Sequence, residues 1–123
     1  MLTKREKYGL TFTKWVDPTS QKIYNICRRD EVDIYSHLVF IDQLDLSELN
    51  SIIDEITKAI NGDDYNDLPT SDSYENISLE LVFPNVIIEE DLTVSMEDFK
   101  ELLLEWIDFI SIEPSQTSID LIV

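Results

Sequence analysis

Two side chains in this sequence could together do nucleophilic chemistry: Cys27, the only cysteine, and His37, the only histidine. A histidine beside a cysteine takes the thiol proton and activates a thiolate. The same two residues fit a core cysteine and a half-buried strand histidine equally well. Carboxylates are the other abundant chemistry. Asp63, Asp64, Asn66 and Asp67 offer the oxygen ligands that calcium prefers, but the EF-hand spacing with its sixth-position glycine is missing. Glycoside hydrolysis needs a carboxylate pair across a sugar-binding cleft, and here the pairs are so many that none stands out. The chain has no Gly-rich phosphate loop, no GxSxG and no HExxH. The expectation is therefore a protein that is not an enzyme and holds no cofactor and no metal.

Charge points the other way, toward binding. The 123 residues carry 26 acids against 9 bases, a formal net charge of −17. The imbalance is also uneven. Residues 1–29 hold seven bases and two acids, a local +5, whereas residues 30–123 hold two bases and 24 acids, a local −22. Such a surface repels nucleic acid and anionic membranes and attracts basic proteins. Solubility alone is the bland alternative, because acidic residues keep proteins soluble. A single cysteine excludes an intramolecular disulfide and a cysteine-based zinc site. The basic N-terminus is not followed by a signal-like apolar stretch, and nothing approaches the ~18 apolar residues of a membrane span. A cytoplasmic protein with neither nucleic acid nor membrane as partner is expected.

The elements that must position these charges follow from hydrophobic periodicity. The chain reads as one α+β domain over residues 1–123, with 1–7 a flexible basic N-terminus and 63–75 an acidic loop. Tyr8 to Trp15 alternates as a strand, Asp17-Pro18-Thr19-Ser20 turns, and Lys22 to Arg28 reads as a second strand. Val32 to Ile41, rich in β-branched and aromatic residues, reads as a third. Asp45 with Glu48 forms a capping-box signal for a first helix, whose stripe is Leu46, Leu49, Ile52, Ile53, Ile56 and Ile60 and whose end is Asn61-Gly62. Strand character resumes from Ile77 to Phe83 and from Val86 to Ile88. Ser95, with Asp98 three residues on, starts a second helix that ends before Pro114. Ser118 to Val123 reads as a terminal strand. The pattern predicts a two-layer α+β sandwich: a mainly antiparallel sheet of about five to six strands with two helices on one face.

The acids then fall into candidate surfaces. At 100° per residue, Glu97, Glu101, Glu105 and Asp108 lie together on the second helix, opposite the Phe99–Trp106–Ile110 stripe. Like charges at i,i+4 destabilise a helix by a few tenths of a kcal/mol, and only Lys100 is nearby in sequence to offset them. Leu104 projects into this acidic side, as an interface anchor would. In the loop, Tyr65 and Tyr74 interleave with Asp63, Asp64, Asp67 and Asp72, and tyrosine buries much interface area at little entropic cost. Glu89-Glu90-Asp91 is a third acidic group.

In size, acidity, α+β order and the helix Ser95-Met96-Glu97-Asp98-Phe99-Lys100-Glu101-Leu102-Leu103-Leu104-Glu105-Trp106, the chain resembles the small acidic immunity proteins of bacterial polymorphic and contact-dependent toxin systems. That group has no shared catalytic motif, so the resemblance carries over no site residues. It implies one-to-one binding of a monomer to a cognate basic protein toxin, often a nuclease, whose active site or substrate groove is covered by carboxylates. Two alternatives stay open. One is a nucleic-acid mimic that inhibits a defence enzyme. The other is an adaptor or homo-oligomeric module joined through an exposed edge such as Ser118–Val123.

Overall fold

The computed structural model of the chain describes residues 3–67 and 78–111. Helix α1 spans Lys4–Lys7, strand β1 Leu10–Val16 and strand β2 Ile23–Arg29. A 3₁₀ helix follows over Ile34–Gln43, then α2 over Leu46–Ile60. Strands β3 (Leu79–Val82), β4 (Asn85–Ile88) and β5 (Leu92–Ser95) lead directly into α3, Met96–Ile110. The fold is α+β with antiparallel strands, as the alternation implies. The single five- to six-stranded sheet is not found among the described residues: β1 and β2 pair as one two-stranded sheet, and β3-β4-β5 form a separate three-stranded one. The expected terminal strand at 118–123 lies outside the described residues.

The largest departure is residues 32–41, which are not a strand. Asp33 caps a 3₁₀ helix: its carboxylate accepts from the Tyr35 N–H at 3.0 Å, and the Ser36 hydroxyl accepts from the Asp33 N–H at 3.1 Å. Side chains three apart eclipse in a 3₁₀ helix, so Leu38, Ile41 and Leu44 line one face, and all three are buried. Alternation and a three-residue repeat coincide over so short an apolar run, which is why the pattern alone misassigns it. The 3₁₀ helix packs on β2 and touches β5, joining the two sheets.

A second departure is β5. Residues 89–91 form the β4–β5 turn, with Ile88 opposite Leu92, and both Glu89 (φ 55) and Glu90 (φ 67) take left-handed backbone. With no glycine there, the sequence gives no turn signal of the usual kind. Tight pairing of β4 and β5 then delivers Ser95 to the start of α3.

Both helix starts form as the sequence implies. Asp45 accepts from the Glu48 N–H at 2.8 Å while Glu48 accepts from the Asp45 N–H at 3.0 Å. Ser95 accepts from the Asp98 N–H at 3.1 Å. Helix α3 is the centre of the core. Trp106 meets the Phe12 ring of β1 edge-on at 4.9 Å, and Phe99 stacks on Phe40 of the 3₁₀ helix at 6.3 Å. Met96, Leu102 and Leu103 are buried alongside, and α2 contributes Leu49, Ile52, Ile56 and Ala59. One helix face thus joins both sheets, and its opposite face is set outward.

Candidate functional site

Four of the residues singled out on α3, Glu97, Glu101, Leu104 and Asp108, are exposed on a single face. They span about 16 Å along the helix axis at 1.5 Å per residue. Leu104 is 44% exposed between the carboxylates.

The fifth, Glu105, is half-buried and turned toward the N-terminus of the chain. Its carboxylate accepts from the backbone N–H groups of Lys4 at 2.8 Å and Arg5 at 3.0 Å. It therefore holds the first turn of α1 in the way a helix N-terminus favours an anion. Neighbouring Asp98 takes the side chains. Lys7 Nζ lies at 2.6 Å, the Tyr8 hydroxyl donates at 2.7 Å, and Lys4 Nζ lies at 3.2 Å. Lys4 also reaches Glu101 at 3.5 Å.

Burial raises the pKa of the Asp98 carboxyl, but the hydrogen bonds from Lys7, Tyr8 and Lys4 outweigh it and hold the group at about 2. Lys4 is raised in turn, chiefly by its hydrogen bond to Asp98. Burial and the same carboxylate also raise the Tyr8 hydroxyl.

This contact corrects the reading that only Lys100 stands near the α3 acids. The bases of residues 1–7, expected as a flexible segment, form α1 and dock on that helix. Gly9 makes the corner that brings them back: at φ +68 it tolerates a conformation other residues avoid, and a Cβ there would collide with the Arg29 guanidinium. Arg29 itself is fixed by Asp33 at 2.8 and 2.6 Å and donates to the Tyr8 carbonyl. The sequence signal for this docking is the local +5 opposite the local −22; nothing in it says which acids the bases meet. Among the described residues, Glu97, Glu105 and Asp108 are the α3 acids that make no ion pair, and of these Glu97 and Asp108 are exposed.

The acidic loop is placed less favourably for a partner. Asp63, Asp64 and Asp67 are exposed, but the backbone around them is tied down. The Asp63 N–H donates to the Lys58 carbonyl at 2.8 Å, and the Asp67 carbonyl accepts from the Leu81 N–H at 2.8 Å. The Asn66 N–H donates to Glu55 at 2.7 Å, which is the largest cause of that carboxyl's lowered pKa. Tyr65, read as an interface anchor, is half-buried against the core, and its hydroxyl accepts from the Phe83 N–H at 3.3 Å. Asp72 and Tyr74 lie outside the described residues. The third acidic group is the β4–β5 turn, where Asp91 pairs with His37 at 3.1 Å.

The candidate dyad does not form. Burial and the Asp42 carboxylate push the Cys27 thiol up to about 12, and the Cys27 N–H donates to Asp42 at 3.0 Å. His37 is directed to Asp91 instead. Among the described residues, no group of three or more His, Cys, Asp and Glu side chains converges as a metal site would require.

Sequence reasoning missed one feature altogether. A cleft of about 400 Å³ opens between the end of α2, the β3–β4 turn and the start of α3, lined by Ile60, Phe83, Pro84, Asn85, Ser95, Met96 and Glu97. The apolar stripe of α2 predicts a buried Ile60; at its end the helix leaves the core and Ile60 is 37% exposed. No family model, no curated protein and no solved structure matches the chain. Among the described residues, no helix is long and apolar enough to cross a membrane.

Proposed function

We propose that this is a non-catalytic acidic binding protein of the immunity type, which neutralises a cognate basic, nuclease-type toxin by covering its active site or substrate groove. The observation that carries the reading is the outward face of α3. Leu104 stands exposed among Glu97, Glu101 and Asp108, two of which make no ion pair with the described residues. An apolar contact ringed by carboxylates excludes water at its centre, while the acids steer a cationic surface into register. The N-terminal segment serves the same reading: Lys4 and Lys7 neutralise Asp98, the Lys4 and Arg5 N–H groups satisfy Glu105, and Glu97 and Asp108 stay outward. The net charge of −17 adds long-range attraction that salt would weaken.

The test is direct. The protein is mixed with the product of the adjacent reading frame and run on gel filtration at low and high salt. A one-to-one complex that loosens with salt is expected. The triple variant Glu97→Gln, Leu104→Ala, Asp108→Asn should bind about 100-fold more weakly, roughly 2.7 kcal/mol, and remain folded. A complex indifferent to both salt and these substitutions would overturn the reading.

A further inference from the structure

The cleft at the start of α3 continues the acidic stripe, because Glu97 belongs to both. Its walls are Ile60, Pro84, Met96 and Phe83, the last 54% exposed, and Glu97 is the one ionisable side chain among the described residues that line it. A volume of about 400 Å³ is within the range of pockets that bind small groups. Two ordinary uses of such a feature do not apply. Glu97 is not spent on an internal ion pair with any described residue, unlike Asp98 and Glu101, which Lys4 and Lys7 occupy. Nor is Phe83 part of the core: its N–H is held by Tyr65, and the residue lines the cleft while more than half exposed.

From this geometry we infer that the cleft receives an arginine side chain of the basic partner. An arginine joins an apolar stem to a cation, and this cleft joins apolar walls to one carboxylate. The aliphatic stem lies along Ile60 and Pro84. The guanidinium stacks on the Phe83 ring and forks onto the Glu97 carboxylate, a pairing that lysine's compact ammonium cannot reproduce. The inference rests on the binding reading above, and it names the anchor that gives the acidic face its specificity. Charge along the stripe would attract any basic surface; a shaped cleft selects one side chain.

The test uses the full-length protein and a defined probe, N-acetyl-arginine amide, followed by ¹H–¹⁵N spectra. N-acetyl-citrulline amide, which has the same shape without the charge, is the control. The expected result is millimolar binding of the arginine probe, with shifts confined to Ile60, Phe83, Asn85, Met96 and Glu97. Glu97→Gln should weaken it several-fold, and Glu90→Gln on the distant β4–β5 turn should leave it unchanged. Three results would overturn the inference: no saturable shift, equal binding of citrulline, or shifts spread over every carboxylate and insensitive to Glu97→Gln. The wider reading is tested separately. A salt-sensitive complex lost on altering Leu104 and Asp108 would stand even if the arginine probe did not bind.

Discussion

Replacing Asp98 by Asn tests how the chain's own bases are used. The side chain is only 13% exposed and accepts from Lys7 Nζ at 2.6 Å and from the Tyr8 hydroxyl at 2.7 Å, with Lys4 Nζ at 3.2 Å. A carboxyl held at about 2 instead of its ordinary 3.8 corresponds to roughly 2.5 kcal/mol at about 1.36 kcal/mol per pH unit. Lys7 is half exposed, and solvent screening there lowers the figure to about 1–2 kcal/mol. Asn keeps the shape and can still accept from Tyr8, so the loss reports the charge.

The assay is urea unfolding of the wild type and Asp98→Asn from pH 7 down to pH 2. Because folding depresses this carboxyl's pKa, its contribution is complete above the unfolded value near 3.8 and disappears as pH falls through about 2. The gap between the two proteins should therefore be constant from pH 7 to about 5 and close progressively below about 4. The Lys4 and Arg5 amides, which depend on α1 staying docked, should exchange faster in the variant. A gap below about 0.3 kcal/mol at pH 7, or one that persists unchanged at pH 2, would refute the account of Asp98 as a charge clamp.

Other substitutions separate structural acids from outward ones. Glu105→Gln should cost about 1 kcal/mol in urea unfolding, because it removes the charge from two backbone hydrogen bonds; Glu97→Gln should stay within about 0.5 kcal/mol or stabilise, since it relieves an i,i+4 repulsion with Glu101. Trp106→Ala should cost about 3–5 kcal/mol, because it empties the contact between α3 and Phe12, and a thermal melt near the wild type would be inconsistent with that core. Ser95→Ala should cost about 1 kcal/mol through loss of the α3 cap. The Cys27 thiol, buried and pushed up to about 12, should resist thiol–disulfide exchange at neutral pH in the native protein and react promptly in denaturant, as timed labelling with a chromogenic disulfide would show.

Local rules written in the sequence determined α2 and α3. Asp45 with Glu48 and Ser95 with Asp98 mark their starts, and the stripe from Met96 to Ile110 dictates which side of α3 is buried, leaving Glu97, Glu101, Leu104 and Asp108 outward. Capping and amphipathic burial depend on residues within one or two turns, so spacing alone suffices to find them. Strand pairing and charge pairing depend on which segments meet. The 3₁₀ helix at Ile34–Gln43 differs from a strand only in how Leu38, Ile41 and Leu44 find the core together, and β5 exists because Glu89 and Glu90 accept left-handed backbone without a glycine. The sequence showed an excess of bases before residue 30 and of acids after it. Only the folded chain decided that Lys7 would meet Asp98, 91 residues away, with Lys4 beside it, and that Glu97 would be left beside an open cleft. Coulomb attraction and packing act through space, and distance along the chain does not predict them.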